Sequence, residues 1–379
     1  MTSRIWNIVT GVYPPQSGGV ADYTRIVAKG LAARGEDVHV WTGPTDDPGC
    51  GDAGVAVHRL PDQFGPIGLA RLNAGIARAR DSRILIQYVP HAFGWRAMNI
   101  PFCAWVAAQG RAELAVTFHE VAFPVFRGQS LRRNALGAVN RVMARLVVRA
   151  AKTIFVTASA WEKLLHGKVG RPRRIVWTPV PSNIRRIDDE RAVASVRRRY
   201  ANQGSFLVSH FAWAETPWIS GVMSAMIGDL LRARDDLTFM LMGRGSGDMY
   251  RAVVKDDSSI RRRVAATGEL TPRDLSCHLS ACDLVVQPYP DGISGRRTTT
   301  MAALAHGLPV LSTEGCHTES IWRESGAVSL VPDANACELA DRASRLLDSA
   351  AERRRVGAAG LKLYERAFDL RHTLDALCQ

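Results

Sequence analysis

The sequence has few acidic residues for its length and no long apolar run. Its 379 residues include 36 Asp and Glu against 49 Lys and Arg, which gives a formal net charge of +13. No stretch reaches the roughly 18–20 apolar residues that a membrane-spanning helix needs, and the first residues lack the apolar core of a signal peptide. The seven cysteines show no C-x-x-C spacing, so we expect inert thiols and no metal site. A reduced cytoplasmic protein is therefore expected.

The positive charge narrows the kinds of partner. Basic proteins of this size bind nucleic acid, anionic membrane surfaces or phosphorylated ligands. The sequence has no zinc-finger spacing, no RNA-binding aromatic signature and no basic recognition helix, which argues against nucleic acid. A phosphorylated ligand or an anionic membrane surface is therefore the better expectation.

Short apolar runs alternate with helical segments along the whole chain. The runs are Ile5–Thr10, Val38–Thr42, Ile84–Tyr88, Ala115–Phe118, Thr153–Thr157, Phe206–His210, Thr238–Met242, Val264–Thr267, Leu284–Gln287 and Val310–Thr313. This alternation predicts an α/β fold with doubly wound parallel sheets, and the length predicts two domains. We place a linker near residues 182–195 and expect ligands at the carboxyl ends of the strands, in a cleft between the domains.

The segment VVQPYPDGISGRRTTTMAALAHGLPVLST, residues 285–313, predicts an anion site. It contains a buried strand, a polar loop with Gly292 and Gly295, a helix beginning near Thr298, and a second strand. Free backbone amides at a helix N-terminus attract anions, and Arg296 and Arg297 stand directly before this helix. A phosphate ligand is the expected occupant.

A second loop with two glycines lies between the first strand and the first helix. In YPPQSGGV, residues 13–20, Gly18 and Gly19 permit close approach of a ligand to a helix N-terminus, although a simple tight turn explains them equally well. The loop is not the G-x-G-x-x-G dinucleotide fingerprint, which disfavours a nicotinamide-dependent oxidoreductase.

The segment YPPQSGGVADYTRIVAKGLAARGEDVHVWT, residues 13–42, resembles the start of the retaining glycosyltransferases of family 4. Further segments resemble that family in order: TFHE (117–120), TGEL (267–270), ALAHGLPVLST (303–313) followed by Glu319, and LKLYERAFDLRHTLDAL (361–377). The resemblance implies the GT-B fold, with two Rossmann-like doubly wound domains facing across a cleft. The domains would be residues 1–187, joined by a C-terminal helix at about 363–379, and residues 188–362.

The resemblance also implies an activity. A sugar would pass from a nucleoside diphosphate donor of the UDP or GDP type to a glycan, glycolipid or small-molecule hydroxyl, with retention of configuration and without metal or cofactor. The C-terminal domain would bind the donor and the N-terminal domain the acceptor. His119 would lie near the reacting carbon of the sugar, although it could instead be a structural histidine at a strand end. Gly268, Glu269 and Leu270 would lie near the nucleotide base.

Two departures from the family pattern change the expected donor site. The two signature glutamates, eight residues apart in the family, align with Ser294 and Ala302, and Asp291 is the nearby acid that could replace the first. The family's arginine–lysine pair is absent from SHFAWAETPWISG, residues 209–221. We expect Arg296, Arg297 and Arg244 to replace those cations. Ser294, Gly295 and Thr298 complete the predicted donor site.

Membrane contact is the remaining question from the sequence. In the segment 131–152 a basic stripe (Arg141, Arg145, Arg149 and Lys152) accompanies an apolar side (Leu136, Val139, Val142, Met143, Leu146 and Val147). The helix could lie on an anionic membrane at the inner face of the cell, or it could be a core helix with a solvated arginine face. Trp95, Trp105 and Phe93 could stack on acceptor sugars or belong to the core.

The sequence therefore predicts a glycosyltransferase with Arg296, Arg297 and His119 as catalytic residues. The missing glutamates and the missing basic pair leave a second hypothesis, a non-catalytic GT-B homologue that binds a glycan or partners an active subunit.

Overall fold

The computed structural model describes residues 4–47, 49, 51–77, 82–109, 113–166, 174–201, 204–211, 216–332 and 335–379. The chain forms two compact units: unit 1 comprises the residues up to Val180 together with Leu370–Gln379, and unit 2 comprises Pro181–Asp369. The boundaries predicted from the sequence were 187/188 and 362/363. Residues 181–187 stay in unit 2 because the Ser182 amide donates to the Tyr364 hydroxyl (3.2 Å) and the Ile187 amide donates to Ser276 Oγ (2.9 Å).

Unit 1 contains a parallel sheet. Its described strands are β1 (Ile5–Thr10), β2 (Asp37–Thr42), β3 (Val55–Arg59), β4 (Arg83–Tyr88), β5 (Glu113–Phe118), β6 (Thr153–Val156) and β7 (Ile175–Trp177). They lie in the order β3-β2-β1-β4-β5-β6-β7, with every neighbouring pair parallel. The central strands are buried runs of β-branched and aliphatic residues, because helices cover both faces of such a sheet.

The helices of unit 1 connect these strands. They are α1 (Gly19–Ala33), α2 (Pro66–Ala77), α3 (Ile100–Ala108), α4 (Leu131–Ala150) and α5 (Ser159–Leu164). On α4, Asn140, Met143 and Val147 are buried, whereas Arg145 and Arg149 are exposed. The apolar side of α4 therefore largely packs on the core and its arginines face solvent. This agrees with the alternative of a core helix with a solvated arginine face.

Unit 2 repeats the same architecture. Its described strands are β8 (Phe206–Phe211), β9 (Leu237–Met242), β10 (Val264–Ala266), β11 (Leu284–Gln287), β12 (Val310–Thr313) and β13 (Ser329–Val331). They form a parallel sheet in the order β10-β9-β8-β11-β12-β13. Its helices are α6 (Glu190–Tyr200), α7 (Pro217–Ala233), α8 (Ser246–Asp256), α9 (Pro272–Ser280), α10 (Thr298–Ala305), α11 (Ser320–Glu324), α12 (Ala336–Asp348) and α13 (Ala350–Leu363).

The prediction of a linker over residues 182–195 is wrong from Glu190 onward, because α6 begins there. The Asp189 carboxylate accepts a hydrogen bond from the Ala192 amide (3.0 Å) and caps the helix. Acidic residues at its start and arginines in its last turn suit the helix dipole. The charged run that looked like a connector is therefore a surface helix.

The last helix, α14 (Leu370–Cys378), belongs to unit 1. It packs on α1, where Leu374 methyl groups lie beside Gly30. Arg83 donates a hydrogen bond to the Leu377 carbonyl (2.8 Å), and Arg34 forms an ion pair with Asp375 (2.8 Å). Phe368, just before α14, instead packs on Trp322 of unit 2 with ring centroids 5.1 Å apart.

Strand order identifies one point in each sheet where ligands are expected. The connections leave in opposite directions from β1 and β4 in unit 1 and from β8 and β11 in unit 2. In open parallel sheets the crevice outside the carboxyl ends of such strands binds the ligand. The loops after β1, β4 and β11 are therefore the places to look for a site.

Candidate active site

The loop between β11 and α10 has a fixed shape at the carboxyl edge of the unit 2 sheet. The Tyr289 amide donates to Thr313 Oγ1 (2.8 Å), and the Ile293 amide donates to the Thr313 carbonyl (2.9 Å). Gly292 has φ 84°, and a Cβ there would lie 2.3 Å from the Gly315 nitrogen. Only glycine fits this position, since the loop approaches the segment after β12 so closely.

Asp291 is the centre of a cationic cluster in this loop. Its carboxylate accepts hydrogen bonds from Arg296 Nη2 (2.6 Å), from Arg297 Nη2 and from His317 Nδ1 (2.8 Å). Two permanent cations and one imidazole thus surround a single carboxylate. The cluster carries excess positive charge, which suits an anionic ligand.

The pKa shifts follow from this arrangement. Burial alone would raise the pKa of the Asp291 carboxyl. The hydrogen bond from His317 and the charges of Arg297 and Arg296 outweigh burial and hold that pKa well below its usual range. Burial, followed by the charge of Arg296, lowers the pKa of Arg297. Asp291 is therefore ionised at neutral pH.

Tyr289 joins the arginine cluster to the start of α10. The Arg297 guanidinium carbon lies 4.2 Å from the centroid of the Tyr289 ring, and the tyrosine hydroxyl bonds to Thr299 Oγ1 (2.8 Å) and Thr300 Oγ1 (2.9 Å). Arg297 is the N-cap residue of α10, without a capping hydrogen bond from its side chain. The first amides of a helix have no intrahelical acceptor, so the cations and these amides can act on one anion.

Glu319 brings a carboxylate to the loop beside Ser294, the residue predicted from the sequence to stand at the family's first glutamate. Both of its oxygens accept from the Gly295 amide (3.2 and 3.1 Å), and Oε2 also accepts from Trp322 Nε1 (2.8 Å). Ser294, the preceding residue, is fully buried and its Oγ has no partner among the described residues. Ala302, predicted from the sequence to stand at the second glutamate, is buried inside α10.

Arg244, Gly268 and Glu269 form a separate group after β9 and β10. Arg244 is ion-paired with Glu269, and both side chains are exposed. The Gly268 amide donates to Ser246 Oγ (2.9 Å), and Leu270 beside it is half-buried. Arg244 thus pairs with an acid of the predicted base loop and is not part of the Asp291 cluster.

In unit 1, α1 and His119 meet behind the glycine loop. Gly18 and Gly19 lie at the start of α1, and a Cβ on either would have no atom within 4 Å. Tyr23 of α1 packs edge-on against the His119 ring, with centroids 4.8 Å apart. The two predicted elements are therefore brought together, with open space in front of the glycines.

His119 is a neutral, oriented histidine. Its Nε2 lies 2.8 Å from Gln87 Oε1, which can only accept, so Nε2 carries the proton. Burial lowers the pKa of His119 to about 4, while the charge of Glu120 opposes that shift. Glu120 itself pairs with His91 (3.6 Å). Because Nε2 donates to Gln87, the unprotonated Nδ1 of this neutral imidazole can accept a hydrogen bond from a ligand hydroxyl.

Sequence reasoning missed His317, Tyr289 and Gln87. His317 stands between two predicted elements, in a segment without a motif, and reaches Asp291 only through the fold. Tyr289 and Gln87 could have been identified from their places in the sequence, because both stand near the carboxyl end of a predicted strand. Tyr289 follows the last residues of β11, and Gln87 lies one residue before the end of β4.

Neither a membrane-spanning helix nor a metal cluster is found among the described residues. None of the described helices combines the length and the apolar character required to cross a membrane. Within the described ranges, no group of three or more His, Cys, Asp or Glu residues is placed to hold a metal ion.

Comparisons with known proteins agree on a family. The chain matches the model of the glycosyl transferase 4-like domain over residues 18–181 and the model of glycosyl transferases group 1 over residues 214–349. No curated protein sequence matches significantly.

Several solved structures share the fold over the whole chain. Sucrose-phosphate synthase from Thermosynechococcus elongatus is 18% identical with a TM-score of 0.76, covering 100% of this chain and 98% of that one. Anabaena HepE, in complex with UDP and glucose, is 17% identical with a TM-score of 0.70 and the same coverage. The UDP-forming α,α-trehalose-phosphate synthase from Burkholderia vietnamiensis is 13% identical with a TM-score of 0.64, covering 100% and 96%.

The order of strands in both units, the two family models and the full-length structural matches agree with the fold and family predicted from the sequence. The protein is a family 4-like glycosyltransferase with the GT-B fold.

Proposed function

We propose that this enzyme transfers a sugar from a nucleoside diphosphate sugar to an acceptor hydroxyl with retention of configuration and without a metal ion. The observation that carries the proposal is the cluster of Arg296, Arg297 and His317 around Asp291, in which both arginines stand directly before α10. The two arginine charges exceed the single Asp291 carboxylate by one, and His317 adds a hydrogen-bond donor. A diphosphate diester carries two negative charges, which this cluster and the first amides of α10 would stabilise together.

The proposed chemistry is a same-face substitution. The bond between the anomeric carbon and the diphosphate oxygen breaks, and its electron pair stays on the leaving phosphate. The acceptor oxygen bonds to the same face of the carbon, and its proton passes to the leaving phosphate. Arg296 and Arg297 stabilise the developing charge, and His119 remains the catalytic residue predicted near the transferred sugar.

UDP sugars are the first donors to test. HepE was crystallised with UDP and glucose, and the Burkholderia synthase is named as UDP-forming. Gly268, Glu269 and Leu270 remain the predicted residues near the base, and GDP sugars form the second arm of the screen. A screen for hydrolysis and transfer, read by release of nucleotide, tests the donor. Release from none of the UDP or GDP sugars, with and without a panel of acceptors, would refute the activity.

We further propose that the acceptor is a glycan, a glycolipid or a small molecule of polysaccharide or glycoconjugate assembly. We also propose that the enzyme is cytoplasmic and contacts the inner face of the cell membrane. The exposed arginines of α4 support contact with anionic lipid.

A second candidate function follows from Ser294 and Ala302, which cannot make the contacts of the two family glutamates. In this alternative the protein binds a glycan or partners an active subunit. Calorimetry separates the two, because a binding-only homologue should show no affinity for UDP or GDP sugars, whereas the enzyme should bind at least one.

A further inference from the structure

Large apolar side chains are exposed mainly in one part of unit 1. Of the ten exposed large apolar side chains found in the described residues, eight lie between Trp95 and Val142. Leu131 is 88% exposed, Phe126 56% and Trp95 49%. We call the set the apolar patch: Trp95, Met98, Ile100, Phe123, Val125, Phe126, Leu131 and Val142.

Hydrogen bonds hold the segments of the apolar patch side by side. The buried side chain of Asn140, on α4, donates to the Ala97 carbonyl (2.6 Å) and accepts from the Phe123 amide (3.4 Å). Asn134, one and a half turns earlier, both donates to Phe126 O (3.2 Å) and accepts from Phe126 N (3.3 Å). The loop before α4 and the turn before α3 are thus fastened to the same helix.

The backbone between these contacts is held in an unusual conformation. Trp95, Arg96 and Ala97 all have positive φ, at 52°, 52° and 67°. Non-glycine residues rarely adopt this region, and strain of this kind persists where the surrounding structure imposes it, often at binding sites. Here the strained turn presents Trp95 to solvent while Phe93 and Ala97 beside it are buried.

The charges beside the apolar patch along the chain are mainly positive. Between Val121 and Trp161 the sequence has six arginines, one lysine and no acidic residue. Arg96, Arg127, Arg132 and Arg133 are exposed next to patch residues along the chain, and Arg145 and Arg149 are exposed further along α4. Apolar and aromatic side chains among arginines are the composition of surfaces that bind anionic bilayers.

We propose that unit 1 docks on an anionic lipid bilayer through the apolar patch, with the flanking arginines on the headgroups. The apolar side of α4 itself mostly faces the core. The inserting groups are therefore mainly those of the turn before α3, the loop before α4 and the first residues of α3 and α4, with Val142 further along α4. The positive charge selects an anionic bilayer over a second copy of this chain, whose identical patch would repel it. The docking rests on the membrane contact proposed above and does not depend on the proposed donor chemistry.

The test is co-sedimentation of the full chain with vesicles. Vesicles of phosphatidylcholine with phosphatidylglycerol should bind the wild type, vesicles of phosphatidylcholine alone should bind much less, and added salt should weaken binding. The double variant Phe126→Ser/Leu131→Ser should lower the partition coefficient on the order of tenfold or more, since two exposed apolar groups no longer insert.

The matched control is Ile67→Ser. Ile67 is 61% exposed but lies outside the apolar patch, on α2, so its variant should bind vesicles like the wild type. Circular dichroism checks that both variants keep the wild-type melting temperature. Three results would overturn the proposal: no binding to the anionic vesicles, equal binding by the double variant, or a stable dimer in light scattering that the double variant abolishes.

Discussion

Replacement of Arg297 by alanine tests the donor site most directly. The guanidinium donates through Nη2 to Asp291 and stacks on Tyr289, while its buried Nε has no partner among the described residues. An arginine has five N–H donors, so Arg297 keeps donors for phosphate oxygens. The loss of two charge-assisted hydrogen bonds amounts to roughly 3 kcal/mol of transition-state stabilisation, or a hundredfold or more in kcat/KM.

The assay is transfer or hydrolysis with the donor found by screening, together with calorimetry of UDP binding. Arg297→Lys keeps the charge but loses the planar stacking on Tyr289, so an intermediate loss of about tenfold is expected. The control is Arg232→Ala, which should keep wild-type kcat/KM and UDP affinity. Arg232 forms ion pairs with Asp229 and Asp257 on the surface, each at 2.7 Å, and surface ion pairs of this kind contribute little to stability. A folded Arg297→Ala protein with wild-type kcat/KM and UDP affinity would refute the assignment.

Three further predictions concern stability and ligand approach. Asp291→Asn should lower the free energy of unfolding by about 1–2 kcal/mol near neutral pH. The difference should shrink below about pH 4, because a carboxyl with a depressed folded pKa contributes fully above its unfolded pKa and loses that contribution as pH falls toward its folded pKa. Denaturant titrations across pH measure this, and a constant difference would contradict it. Wild-type stability should fall as the pH is lowered from about 6.5 to about 4, because His119 takes up a proton in the unfolded chain at a higher pH than in the folded one. The melting temperature of His119→Gln should depend less on pH over this range. If the melting temperatures of the variant and the wild type changed in parallel with pH, a buried neutral ring would be contradicted. Gly19→Ala should keep the wild-type melting temperature, because no atom lies within 4 Å of the added methyl group. The methyl group should instead hinder the close approach of a ligand and raise KM for the donor or the acceptor several-fold. An unchanged KM would show that Gly19 is not part of the site.

The strands of the two cores could be predicted closely from the sequence. Leu284–Gln287 and Val310–Thr313 have the predicted bounds, because buried parallel strands are continuous apolar runs ended by proline or glycine. Strands β3, β7 and β13 were not predicted, since they are short strands in which most side chains stay partly exposed. An apolar run signals burial on both faces, and an edge strand lacks that signal.

The candidate site could be predicted only in part. The position of Arg296 and Arg297 before a helix was visible because cations and a helix start are local features of the chain. His317, which bonds to the same carboxylate, lies 26 residues after Asp291 and is placed by the pairing of β11 with β12. Asn140 illustrates the same limit, since a polar residue on a predicted helix gives no sign that it fastens two distant loops. Long-range contacts of this kind depend on the complete fold.

The return of α14 to unit 1 has a consequence for folding during synthesis. All of unit 2, up to Asp369, has been made before Leu370–Gln379 leaves the ribosome. Until then the surface of α1 around Gly30 lacks Leu374, and Arg83 lacks the Leu377 carbonyl. Until translation ends, unit 1 therefore has an uncovered apolar surface on α1. A fragment ending at Val180 would keep that face permanently, and we expect it to aggregate unless α14 is supplied as a peptide.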